Sequence, residues 1–448
     1  MFEAETINGK KGTPKLKDRP PYIPGQIILR IPEDAVRPHL GAARLKFIAA
    51  TANRLPEKVS NRLNYLRRNA GLREVQPLFS ERRSGIKRAS VSSFNRAKLA
   101  VMSSISEPES EELSGIIMVS LDAKTKAPEL VKRLNKSKVV EYAEQMPARW
   151  LAANAGASAN CSRNLQWGLR AIDWFNAKIP SAAKIRVGVL DTGIDAEHPD
   201  LAKLDINYYR KGLKKNDILG HGTHVAGIIA ATANNKAGIT GVARCKLSMW
   251  KIFPDQPEYG GFYVDSERYL QALRAVLEEG VKVVNLSIGG TQSSQTEQIL
   301  FRRLESNGVV TVAAMGNEYE EGNPTIYPAA YDGVLAVGSI EENRKRSGFS
   351  NTGKHIGLVA PGSNILSTLP TKGSKYLSQT NYAAWSGTSM ATPYVAAAAA
   401  LVAARFPSLS GLKIRDKLTT KAEKLDDMNG DWDESYGSGL LNLKNALS

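Results

Sequence analysis

Val187-Gly188-Val189-Leu190-Asp191-Thr192-Gly193-Ile194-Asp195 decides the fold class. With Ile185 it makes a short buried strand, Arg186 apart, that ends on an acid and a Gly-marked turn. A short apolar run bounded by turn signals is the mark of a strand buried on both faces. The pattern around it repeats. Lys246–Phe253, Val281–Ile288, Val309–Ala314 and Val334–Gly338 read as strands. His224–Ala233, Ser266–Glu279, Gln295–Ser306 and Thr388–Arg405 read as helices. Such alternation predicts an α/β fold, a mostly parallel central sheet with helices on both faces. Sites in open sheets of this kind lie beyond the carboxyl ends of the strands.

Upstream of residue 164 the pattern changes. Residues 1–22 are polar, with Lys10, Lys11, Lys15, Lys17, Pro20 and Pro21, and read as a disordered lead-in. Residues 23–149 read as a small α+β domain. It has a strand at Gln26–Ile31, a helix over 55–70, a strand at Gly115–Leu121, a helix over 127–136 and a strand at Val139–Ala143. A Ser- and Arg-rich, then acidic, stretch at 82–112 reads as a flexible basic insertion. Residues 150–163, rich in Ala, Gly and Ser, read as an exposed linker to a second domain, 164–448.

Composition bounds the function. Of 448 residues 42% are hydrophobic and 23% charged, which fits a globular chain. No apolar run reaches the ~18 residues of a membrane span. The formal net charge is +16, and it is concentrated: residues 51–100 hold 12 Lys and Arg against 3 Asp and Glu. Such a segment is expected to be a solvated basic region, or else a surface for nucleic acid or an acidic partner. Two cysteines, Cys161 and Cys245, make no disulfide framework and read as free thiols. The first residues lack the apolar core of a secretory signal, so a cytoplasmic location is expected, with secretion still open.

Three segments carry chemistry. Asp191 follows the strand quoted above. Gly220-His221-Gly222-Thr223-His224 puts a His where a helix begins. Ser386-Gly387-Thr388-Ser389-Met390-Ala391-Thr392-Pro393 puts a Ser just ahead of a long helix. A Ser hydroxyl is a weak nucleophile until a base takes its proton, and an imidazole suits that task. A carboxylate then fixes the tautomer of the imidazole and stabilises its cation. A helix starting at Ser389 directs N–H groups toward a developing oxyanion. Asn317, flanked by Gly316 and Glu318 at the end of a strand, supplies a side-chain donor. The alternative use of Gly-rich turns, phosphate binding, lacks its motifs.

These segments resemble those of the subtilisin-like serine peptidases, in residues and in the chain order Asp, His, Ser. The likeness covers 164–448, including Gln166-Trp167-Gly168-Leu169 and Tyr436-Gly437-Ser438-Gly439-Leu440-Leu441-Asn442. Residues 24–145 resemble the family's ferredoxin-like propeptide, ending near Val140-Glu141-Tyr142-Ala143-Glu144. The resemblance implies a serine endopeptidase with Asp191, His221 and Ser389 as its triad, Asn317 in the oxyanion hole and His224 structural. It implies that Ser287, Ile288, Gly289 and Gly290 pair with an extended substrate, by β-augmentation. Gly316 and Glu318 should border the specificity pocket. Glu318, Glu320 and Glu321 there suggest a cationic side chain before the scissile bond.

The family needs no cofactor for its chemistry but often holds structural calcium. Asp200 and Asn235, in Ala233-Asn234-Asn235-Lys236-Ala237-Gly238-Ile239, are the matching positions. Tyr394 and Ala397 depart from the His and Gly of many members. The expected partners are a polypeptide substrate and the chain's own N-terminal domain, acting as inhibitor until self-cleavage between about 145 and 163; no membrane is expected. A permanently inhibited or partner-regulated module that binds peptide or nucleic acid is the alternative.

Overall fold

A computed structural model describes residues 15–30, 45–46, 72–77, 113, 116–121, 125–136, 140–152, 166–235 and 238–448. The expected helix over 55–70, the insertion at 82–112 and most of the basic 51–100 lie outside the described residues, as does Cys161. Two compact units result. One comprises 22–146 with 294–299; the other comprises 15–21, 147–293 and 300–448.

The smaller unit is a five-stranded sheet with one helix among the described residues. Its strands are β1 (Tyr22–Arg30), β2 (Leu45–Lys46), β3 (Leu72–Pro77), β4 (Ile116–Leu121) and β5 (Tyr142–Pro147), in the order β2-β3-β4-β1-β5. β1 and β4 run antiparallel, Ile28 opposite Met118. The helix α1 (Ala127–Lys136) buries Leu130 and Leu134, spaced one turn apart on a single face. The last strand starts three residues later than the sequence pattern suggests.

The lead-in forms a 3-10 turn at Leu16–Asp18, and Trp150–Leu151, placed in the linker by composition, is a strand, β6. Both segments gain order from partners remote in sequence, described below, which local composition does not reveal.

The central sheet holds β7 (Arg186–Asp191), β8 (Ile206–Tyr209), β9 (Lys246–Lys251), β10 (Val283–Leu286), β12 (Val310–Ala314), β13 (Val334–Ile340) and β14 (Ile356–Pro361). Its order is β14-β13-β12-β10-β7-β9-β8, and every pair is parallel. Between β10 and β12 lies β11 (Ile288–Gly289), so the single strand expected over Val281–Ile288 breaks at Ser287. β15 (Ile365–Thr368) and β16 (Tyr382–Trp385) form a separate antiparallel ribbon.

Helices α2 (Trp167–Ala171), α3 (His221–Ala230), α4 (Ser266–Glu278), α5 (Gln295–Ser306), α6 (Thr388–Arg405), α7 (Gly411–Thr420) and α8 (Leu443–Ala446) complete it. α3 starts at His221, three residues before the apolar run that signals it. α6 is buried from Thr388 to Ala403, and its alanines let it lie close against the sheet. No described helix is long and apolar enough to cross a membrane.

Candidate active site

Asp191 is the last residue of β7, at the carboxyl end of the sheet, and is fully buried. Its Oδ1 lies 2.7 Å from Nδ1 of His221, the first residue of α3, and accepts the Thr192 N–H at the same distance. The two segments meet this closely because Gly222 has no Cβ, which would fall 2.1 Å from the Gly193 carbonyl.

A residue that sequence reasoning missed ties them together. The buried Asp217 carboxylate accepts from Thr192 Oγ1, from the N–H of Leu219, Gly220 and Thr223, and from Thr223 Oγ1. Thr192 Oγ1 in turn accepts the Gly222 N–H at 2.8 Å. An Asp in a charged loop carries no sequence signal for such a role.

His224 lies one turn along α3 and serves packing. Its Nε2 is 3.1 Å from the Ala383 carbonyl, and its ring stacks on Trp385 at 5.0 Å. Complete burial pushes its pKa down to about 3, so it is neutral near neutral pH. The thiol of Cys245, also buried, is pushed up to about 12.

Ser389 stands in the first turn of α6. Its Oγ donates to the Ser287 carbonyl at 2.9 Å, and His221 Nε2 makes no hydrogen bond among the described residues. Acid and imidazole are therefore joined, while hydroxyl and imidazole are not bonded to each other. Pro393 lacks the N–H that would bond the Ser389 carbonyl in a regular helix. The Ser287 hydroxyl donates to that carbonyl instead, at 3.0 Å, and itself accepts from Asn285 Nδ2. Asn317 is fixed by its oxygen, which accepts both the N–H and the hydroxyl of Thr388 at 2.9 Å. Its NH2 is thereby left to face another partner. Tyr394 packs its ring against Gly168, where a Cβ would meet the phenol oxygen.

An extended segment of the chain itself lies along these residues. β6 pairs antiparallel with β11, Leu151 opposite Ile288 and Trp150 opposite Gly289. On the other edge the Val264 N–H donates to the Arg149 carbonyl at 2.9 Å. Gly290 makes room for this segment, since a Cβ there would fall 2.2 Å from the Ala148 carbonyl. At Ala152 the carbonyl accepts the Ser389 N–H at 3.0 Å.

Glu318 is 3% exposed. Its Oε1 accepts from Trp150 Nε1 at 3.1 Å and from Arg19 Nη1 at 2.8 Å, and its Oε2 accepts the Asn317 N–H at 2.8 Å. Arg19 also lies over the Trp150 ring, 4.9 Å from its centroid. The residue bonded at the Ser389 N–H is a small one, Ala152, and the cation beside Glu318, Arg19, comes from the lead-in.

Asp200 and Asn235, the positions that match the family's calcium site, come together through a hydrogen bond. Asp200 Oδ1 accepts from Asn235 Nδ2 at 2.6 Å, and its Oδ2 accepts from the Ile239 N–H and the Tyr382 hydroxyl. Calcium needs converging oxygen lone pairs. Here the carboxylate takes three N–H and O–H donors, and Asn235 turns its NH2 rather than its oxygen toward it. Among the described residues no group of three or more His, Cys, Asp or Glu side chains could hold a metal.

The Subtilase family profile matches residues 182–439, more than half of the chain. The chain belongs to the subtilase family. Subtilases are the subtilisin-like serine endopeptidases, and the chain is 36% identical to Subtilisin DY of Bacillus licheniformis over 277 residues, 61% of this chain and 94% of that one. It is 34% identical to the Alkaline protease of Alkalihalobacillus alcalophilus over 78% of this chain and 85% of that one.

Among solved structures, fervidolysin from Fervidobacterium pennivorans, a keratinolytic enzyme related to subtilisin, shares the fold. That match has a TM-score of 0.68 at 24% identity, over 95% of this chain and 61% of fervidolysin. Subtilases need no cofactor for catalysis, and their substrates are polypeptides. The family expectation for fold and enzyme class holds.

Proposed function

We propose that the protein hydrolyses peptide bonds in extended polypeptide through Asp191, His221 and Ser389, and that it is made as an inhibited precursor which first cuts its own Ala152–Ala153 bond. The observation that carries this reading is the Ser389 N–H on the Ala152 carbonyl at 3.0 Å, with residues 150–151 paired as a strand against β11.

Turning the Ser389 hydroxyl from the Ser287 carbonyl to His221 Nε2 gives the base its proton as Oγ bonds to the Ala152 carbonyl carbon. The negative oxygen is held by the Ser389 N–H and the Asn317 NH2. Asp191, on Nδ1, stabilises the imidazolium and holds its tautomer. The imidazolium then returns the proton to the Ala153 nitrogen as the C–N bond breaks, leaving an acyl-enzyme that water hydrolyses. The same strand edge then receives other polypeptides.

The hydroxyl resting on Ser287 favours a second reading, a module held inhibited until a partner acts. Intact mass separates the two. The wild-type chain should lose a fragment ending at Ala152, whereas Ser389→Ala should stay at 48.7 kDa. A wild type that remains whole and takes no fluorophosphonate on Ser389 would support the module.

A further inference from the structure

We propose that Glu318 selects the residue three places before the scissile bond, favouring side chains that donate hydrogen bonds, arginine and lysine above all. The inference rests on the reading of Ala152–Ala153 as the bond cut, which makes Trp150 the third residue before it.

Two different donors converge on one buried oxygen, Glu318 Oε1: the Trp150 indole and the Arg19 guanidinium. The carboxylate is built into place rather than free to turn away. Its Oε2 is held by the Asn317 N–H, and its own N–H donates to Asn351 Oδ1 at 2.7 Å. Once the chain upstream of residue 153 departs, both donors on Oε1 leave with it, while those two anchors remain.

Their departure leaves Oε1 without its two hydrogen bonds until another donor comes. An incoming polypeptide restores one most directly from the position that Trp150 held. A guanidinium suits it, because Arg19 already places one there, 4.9 Å over the indole ring. An ammonium donates as well, an aliphatic side chain offers nothing, and a carboxylate is repelled. In an extended strand the first and third side chains share a face. The small Ala152 leaves the carboxylate to the third.

The test uses protein expressed as the full chain and allowed to process itself, with fluorogenic peptides that have Ala first and Leu second before the cut. The third residue is Arg, Lys, Trp, Leu or Glu. Arg should exceed Glu in kcat/KM by at least about tenfold, mainly through KM, and Glu318→Gln should reduce the ratio to within about twofold. A matched series varying only the first residue locates the preference. Equal turnover of Arg, Leu and Glu at the third position, or a preference for cations confined to the first, overturns the inference while leaving the endopeptidase reading intact. Failure of every peptide would sink that reading instead.

A second measurement uses the uncleaved chain. Trp150→Glu should slow the first self-cleavage about tenfold, and adding Glu318→Gln should restore it. No rescue by the second change counts against the proposal.

Discussion

The hydroxyl of Ser389 and the carbonyl of Ser287 are hydrogen-bonded at 2.9 Å, and the Ser287 hydroxyl answers on the Ser389 carbonyl at 3.0 Å. The second bond exists because Pro393 leaves that carbonyl without its helical donor. Ser287→Ala should therefore destabilise the fold by about 1–2 kcal/mol, the cost of a buried acceptor left alone. Thermal unfolding in the Ser389→Ala background, where self-digestion is absent, measures it. The expected drop is about 2–4 °C for each kcal/mol, and an unchanged midpoint would contradict the account of Pro393.

Asn317 holds its oxygen on Thr388, which in the proposed mechanism leaves its NH2 for the oxyanion. Asn317→Ala should lower kcat about 100- to 1,000-fold with little change in KM. A loss expressed chiefly in KM, on any peptide that the wild type cleaves, would assign the side chain to ground-state binding instead.

Stability should fall in acid below the ordinary histidine range. Burial holds His224 at about 3, against 6.5 for a free side chain, and lowers His198 and His355 as well. As pH drops through 6.5 the unfolded chain takes up protons that the folded chain refuses. The contribution of these groups is complete above about 6.5 and is lost progressively toward 3, at up to about 1.4 kcal/mol per pH unit for each proton. Urea midpoints of Ser389→Ala at pH 7.5, 6 and 4.5 test this. Equal midpoints at all three values would refute the burial argument.

Chelators should leave the Asp200 loop untouched. Its carboxylate is satisfied by Asn235, Ile239 and Tyr382, so EDTA or added calcium is expected to move the unfolding midpoint by less than about 2 °C. Tyr382→Phe, which removes one donor, should destabilise by about 1–2 kcal/mol. A calcium-dependent rise of several degrees in the wild type, absent in Asp200→Ala, would reinstate the ion.

The sheet and the candidate triad were legible because each signal is local. A strand such as 185–190 needs only unbroken apolar residues and a Gly turn, and Asp191, His221 and Ser389 each sit at an element end beside small residues. What stayed hidden depends on pairings across hundreds of positions. Nothing around Arg19 announces a carboxylate at residue 318, and Ala152 in a run of small residues looks like a tether rather than an occupant. Asp217 reads as one more charge in a Lys-rich loop, although five donors meet on it. Matching positions specify where Asp200 and Asn235 lie, and not that the hydroxyl of Tyr382 also donates to that carboxylate.

The Ala152 carbonyl reaches Ser389 as part of the same chain. While that connection lasts, occupancy of the cleft is an intramolecular equilibrium, and it is the same in a dilute sample as in a concentrated one. If the Ala152–Ala153 bond is cut as proposed, the released piece has to find the cleft again by diffusion. On that reading, dilution would favour an open cleft after the cut and leave it unchanged before.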